Sequence, residues 1–319
     1  MNKDLRRLTD GLIAGGDHEG LLNLAKELFF AANDLPAAEE VARAARDAGS
    51  SRALPLLAIA LDKQGRFAEA ESAYREAIAA GHDESLLQLA DMLFSDQPRL
   101  DEAEELARRG AELGAISSNF VLGKILARQP GREAEAEASL AAEVHPDIRP
   151  AAQFHLGQLL MGIPGREADA ERALRDSGIA EAQSLLSALL HRIPGREEDR
   201  IEALRRAAEG GAQGAWNSLT IALKELGRLD SAEAAFRDGI TRGATELLPY
   251  YGDLLRCQGR PAEAEEVLRA GLPTDPKCAW VLGVMLLEAP GRVDEGRELL
   301  IQAAGAGVVR AAIVLAQPR

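Results

Sequence analysis

The residues best suited to metal or nucleophilic chemistry are five histidines, His18, His82, His145, His155 and His191, and two cysteines, Cys257 and Cys278. A metal site needs such side chains converging at short helical or turn spacings. None of the histidines pairs with another His, Cys or carboxylate at a metal-ligand spacing. His155 stands beside Phe154 inside a helical pattern and His191 near the end of one, so both read as surface or boundary positions. Cys257 closes one helical pattern and Cys278 opens the next. In parallel stacked helices that keeps them roughly a helix length apart, which opposes a zinc or redox pair. The chain holds no G-x-x-x-x-G-K-S/T, no G-x-S-x-G and no strand-flanked G-x-G-x-x-G. No enzyme, metal site or cofactor is expected.

The acidic runs Asp101–Glu105 and Glu133–Glu137 open helical segments, where a helix N-terminus favours negative charge. They read as solvated faces with partners three and four residues along, such as Glu105 and Arg108. Over 319 residues, 51 acidic side chains against 37 basic ones give a net charge of −14. That opposes a general nucleic-acid binder, which needs cations to neutralise phosphate, and docking on an anionic membrane. Hydrophobic residues make up 46% but aromatics only 4%, so the core must be built largely from Ala and Leu, both strong helix formers. Two cysteines are too few for a disulfide framework, which fits a reduced, cytoplasmic setting. The opening MNKDLRRLTDGLIAGG has no long apolar core and carries Asp4 and Asp10, so no secretory signal is expected. No run of 18 apolar residues occurs, so no bilayer span is expected.

A repeat organises the whole chain. Arg66, Arg99, Arg132, Arg166, Arg196, Arg228, Arg260 and Arg292 each follow a Gly, or in one case Pro98, at intervals of 33, 33, 34, 30, 32, 32 and 32 residues. Asn33-Asp34 takes the same place one unit earlier, which makes nine copies. Before each step stands a large residue, a small one, two of any kind, then Leu. LADML (89–93), LGKIL (122–126), LGQLL (156–160) and YGDLL (251–255) are four of them. After most steps comes Ala, at Ala38, Ala70, Ala103, Ala136, Ala170, Ala232 and Ala264, whereas Arg200 and Gly296 depart from it.

These intervals put the large, small and Leu positions on one face of a first helix. The small residue lets another backbone come close. Pro disfavours helix in the residue before it and Gly can take the left-handed turn, so the step ends the first helix. The Ala that follows marks where a second helix crosses the first, and a bulkier residue there would overpack the contact by roughly 1–3 kcal/mol. Pro-Gly-Arg-Glu, written at both 164–167 and 194–197, is therefore a hinge between antiparallel helices.

The pattern resembles the tetratricopeptide repeat and its relative, the Sel-one-like repeat, over nearly the whole chain. Trp216, Leu219, Leu223, Gly227, Ala232 and Phe236 follow the tetratricopeptide signature, as do Tyr251-Gly252, Leu255, Gly259, Ala264 and Pro276. AAEGGAQGAWNSL (207–219) and RGAELGAISSNFVLG (109–123) lean to the Sel-one-like form. Most copies lack the terminal Pro of the tetratricopeptide unit. The resemblance implies an all-α fold, a right-handed α-α superhelical solenoid of about nine helix-turn-helix repeats.

Residues 1–16 are then an N-terminal capping helix, 17–305 the repeats and 306–319 a partial repeat that stops at Pro318. A partial end can leave an apolar face uncovered, so end-to-end self-association is an open expectation. Two joints are irregular: 143–150 holds two prolines and lengthens a connection, and 176–180 implies a clipped second helix.

In the resembled family the first helices line a concave groove. The residue three before the small position, or the one just after it, would face that groove. Leu87, Phe120, Lys124, Phe154, Gln158, Asn217, Ile221, Asp253 and Trp280 are the candidates. Such a partly apolar lining suits an amphipathic helix or an extended peptide, while Phe120, Phe154 and Trp280 also suit ordinary packing between first helices. The Lys and Asn clamp that some relatives use for a C-terminal carboxylate lacks its Asn here, so a chaperone-tail adaptor is not expected. The reading is a non-enzymatic scaffold for a protein or peptide partner. The alternative is a regulatory receptor for a small peptide that acts through a partner protein.

Overall fold

The computed structural model describes residues 3–95 and 99–316; Pro98 and Pro318, which figure in the expectations above, lie outside the described residues. All regular elements of the described residues are helical. The chain divides into two compact units, Met1–Ser177 and Gly178–Arg319. The first holds α1 (Lys3–Ala14) and five helix pairs: α2 (His18–Phe30) with α3 (Leu35–Asp47), α4 (Leu54–Lys63) with α5 (Phe67–Ala79), α6 (Glu84–Ser95) with α7 (Leu100–Glu112), α8 (Ser118–Leu126) with α9 (Glu133–Ala141), and α10 (Arg149–Met161) with α11 (Glu167–Ser177). The second holds four pairs: α12 (Ala180–His191) with α13 (Glu197–Glu209), α14 (Ala215–Glu225) with α15 (Leu229–Thr241), α16 (Leu248–Cys257) with α17 (Pro261–Gly271), and α18 (Pro276–Leu287) with α19 (Val293–Gly305), followed by α20 (Val309–Ala316). These pairs are the nine expected repeats. The expectation of a clipped second helix at 176–180 meets α11, with 11 residues. The shortest second helix, however, is α9, with 9, because the chain leaves it early to reach the two prolines of 143–150.

The hinge has two local solutions. After α4, Gly65 (φ 73) donates to the carbonyl of Asp62 and Arg66 donates to that of Leu61, at 2.8 and 3.0 Å. That pairing is a Schellman stop, and the left-handed φ is why Gly occupies the position. Where Pro precedes Gly the turn is different. Arg166 donates to the carbonyl of Ile163 at 3.2 Å across Pro164-Gly165, with Gly165 at φ 83. Pro at the second and Gly at the third position are what a type II turn requires. At the first step Asn33 takes the left-handed place (φ 52), and Asp34 caps α3 by accepting from the Ala37 N–H at 3.1 Å.

The small positions are fixed by contact between paired helices. A Cβ on Gly123 would lie 2.5 Å from Leu140 Cγ, one on Gly157 2.6 Å from Leu174 Cγ, and one on Gly252 2.4 Å from Leu268 Cγ. The facing Ala38, Ala70, Ala103, Ala136, Ala170, Ala232 and Ala264 are all fully buried. Gly296 departs from Ala for a reason: its Cβ would meet the carbonyl oxygen of Gly283 at 2.8 Å, so the backbones touch. In the first unit, successive first helices from α2 to α10 approach one another more closely than the second helices from α3 to α11 do. The side chains of the first helices therefore crowd together on one face.

Candidate functional site

Three neighbouring first helices, α6, α8 and α10, bring rings and cations into one row. Lys124 Nζ lies 5.2 Å from the centroid of Phe120 and 5.3 Å from that of Phe94. Arg128 covers Phe94 at 5.7 Å. His155 stands 5.5 Å from Phe120 and 5.1 Å from Phe154, edge to face. The order across the face is Arg128, Phe94, Lys124, Phe120, His155, Phe154, a run of cation–π and ring contacts. Lys124 is held in place by Asp91, 2.6 Å away on α6. Burial of the His155 imidazole, aided by the Lys124 charge, pulls its pKa below the ordinary 6.5, against a hydrogen bond to Gln158. Beside the row opens a concavity of about 430 Å3, floored by Leu87, Val121 and Ile148.

The candidates from the sequence fall as follows. Phe120, Lys124 and Phe154 are half-buried members of the row, and Gln158 is exposed one turn from Phe154. Leu87 is buried and packs under Gly110 while also lining the concavity. In the second unit, Asn217 is half-buried and Ile221 is 46% exposed. Asp253 accepts from Arg256 at 2.9 Å. Trp280 packs at the edge of the core with Arg310 5.5 Å over its ring, and its Nε1 is buried without a partner among the described residues. Phe94, Arg128 and His155 were missed as parts of one surface. Phe94 stands three residues past Asp91 and seven past Leu87 on α6, helical intervals that place it on their face.

The second helices carry another pattern. Arg66 bonds to Glu39 of the preceding second helix and to Glu69 of its own, both at 2.6 Å. Arg43 closes the ring by reaching the same two carboxylates at 2.9 Å. Glu71, Arg75, Glu102 and Arg99 form a second ring. Glu104, Arg108, Glu135 and Arg132 form a third. In the second unit Glu265, Arg269, Glu295 and Arg292 repeat it. The step arginine is thus a bridge between neighbouring second helices as well as a hinge residue. The expected pairing of Glu105 with Arg108 is corrected: Arg108 bonds Glu104 and Glu135, because Glu104, to which Arg132 also bonds, lies on the side of α7 toward the next second helix. At Glu137 the ring stays open, since Ala141 stands where an Arg would close it and only Arg166 bridges.

Burial alone would raise the Glu104 carboxyl, but hydrogen bonds from Gln129, Arg132 and Arg108 outweigh it and bring the pKa to about 2. Hydrogen bonding to Arg292, opposed by burial and aided by Arg269, does the same for Glu265, also at about 2. Cys278 is buried and its thiol is pushed up to about 12 by burial and the Asp275 charge, an unreactive state. Among the described residues no group of His, Cys, Asp and Glu could hold a metal ion, and no helix is long and apolar enough to cross a membrane.

Residues 56–116 and 219–279 match the tetratricopeptide repeat family, one stretch in each unit. The chain resembles several solved structures. One is a protective antigen of uropathogenic Escherichia coli with an SLR fold: 19% identity, 97% of this chain and 81% of that one, TM-score 0.43. A Sel1 repeat protein from Oxalobacter formigenes aligns at 16% identity over 69% of this chain and 99% of that one, TM-score 0.39. The Cut9–Hcn1 structure of the APC/C aligns at 15% identity over 89% of this chain and 59% of that one, TM-score 0.42. No curated protein sequence matches significantly. Within the two matched stretches the repeats are similar to tetratricopeptide repeats.

Proposed function

We propose that this chain of tetratricopeptide-type repeats is a non-enzymatic scaffold that holds a segment of a partner protein on its first-helix face. The observation that carries the reading is the row on α6, α8 and α10. There Phe94, Phe120 and Phe154 stay half-exposed beside an open concavity, although a Leu would bury more simply. Aromatic rings flanked by cations are adaptable anchors for a peptide backbone or side chain. Leu87, Phe120, Lys124, Phe154 and Gln158 are the contacts proposed in the first unit. Asn217, Ile221, Asp253 and Trp280 are those proposed in the second.

The test is capture of partners from a cell lysate by the intact chain and by Phe120→Ser, Phe154→Ser and Trp280→Ser, each with its helicity measured. The reading expects a partner lost with helicity retained in at least the Phe154 variant. If each substitution only unfolds the protein, or none alters capture, the proposal fails.

A further inference from the structure

The connections that enter α8 and α10 carry exposed apolar side chains, and the first of them also a left-handed residue. Ile116 is 64% exposed and Val144 80% exposed; Ile116 adjoins Ser117, which lines the concavity, and Val144 stands three residues before Asp147, which also lines it. Ser117 sits at φ 70, a left-handed conformation. Gly214, which occupies the same place before α14 in the second unit, has the same φ of 70. An L side chain is disfavoured there, and a strained non-Gly residue at the mouth of a cavity is a reason to look for a function. Two bulky apolar side chains left in solvent on the connections that supply its lining are a second, independent reason.

The polar groups of the concavity say what it would take. Its one cation, Lys124, is already bonded to Asp91 Oδ1. What remains is acceptor chemistry. Asp147 is exposed with no hydrogen bond or ion pair among the described residues. Gln88 Oε1 is buried without a partner among them. Apolar surface surrounds these groups.

We infer that the concavity between α6, α8 and α10, with the connections that carry Ile116 and Val144, is the anchor subsite for a partner segment that presents an apolar face next to a basic residue. The apolar face covers Ile116, Val144 and the floor, and the Lys or Arg meets Asp147. Attraction between opposite charges at the edge of a contact sets preference among partners more than total affinity. The inference rests on the scaffold reading and narrows it to one place and one chemistry.

The experiment uses the full chain and two fluorescein-labelled 14-residue amphipathic peptides. Both carry the same leucine face; one has Lys and the other Glu on its polar face. Fluorescence anisotropy is expected to give a Kd at least tenfold lower for the Lys peptide. Ile116→Ser with Val144→Ser should weaken it at least tenfold, and both residues are exposed enough to change without unfolding, which far-UV circular dichroism checks. Asp147→Asn should narrow the preference for Lys over Glu. Equal or tighter binding of the Glu peptide overturns the inference, as does no binding of either peptide, or a Kd unmoved by the Ile116 and Val144 substitutions. Loss of both peptides on Phe154→Ser, with none on the Ile116 and Val144 substitutions, would leave the scaffold reading standing and remove this subsite alone.

Discussion

Leu140 of α9 presses against Gly123 of α8 so closely that a Cβ on the glycine would lie 2.5 Å from Leu140 Cγ and 3.2 Å from its backbone nitrogen. The same relation holds between Gly157 and Leu174, and between Gly252 and Leu268. Gly123→Ala is expected to destabilise the protein by about 1–3 kcal/mol through overpacking, despite a gain in helix propensity. Urea denaturation measures it. An unchanged midpoint would mean that the helix pair can slide apart at no cost.

The charge rings predict a salt effect. Arg132→Gln leaves Glu104 and Glu135 joined by Arg108 alone, and should lower stability only slightly, as for other exposed pairs. Because such pairs are screened, wild-type Tm should fall between 0.05 and 1 M NaCl, and the fall should be smaller in Arg132→Gln. Equal salt dependence in the two proteins would deny the ring a role.

Acid should loosen the same contacts. Glu104 and Glu265 have folded pKa values of about 2 against an ordinary 4.5. Their stabilisation is therefore complete above pH 4.5 and is lost as pH falls from there toward 2. Tm is expected to drop between pH 5.5 and pH 3, and Glu104→Gln should flatten that drop while starting from a lower Tm. A slope unaffected by Glu104→Gln would contradict the assignment.

His155 acts in a different pH window. Its folded pKa is lowered from 6.5 by burial and by Lys124, so the unfolded chain takes up its proton first. The contribution is present above pH 6.5 and declines as pH falls below that value. NMR titration of the His155 ring should give a midpoint under 6.5, and Lys124→Gln should move it upward. A midpoint at or above 6.5 would show the ring to be solvated.

Most of the fold was legible because helical hairpins are written locally. Gly and Pro at each step, the small residue and the buried Ala repeat at intervals that helix geometry alone explains. The rings were not legible in the same way. Glu39 and Arg66 are 27 residues apart, and only the packing of one repeat on the next brings them together. The first-helix row was half visible: Phe120, Lys124 and Phe154 follow from the small position. Phe94, Arg128 and His155 join it only through neighbouring helices. The short α9 does not show in the intervals between steps, because the longer connection at 142–148 keeps them nearly constant.

Hydrogen–deuterium exchange on the intact chain, with and without a captured partner segment, tests the central claim most directly. The account predicts new amide protection in α6, α8 and α10, strongest around Phe120 and Phe154, with α7, α9 and α11 little changed. Protection confined to the second helices, along the faces that carry the Arg–Glu rings, would contradict it.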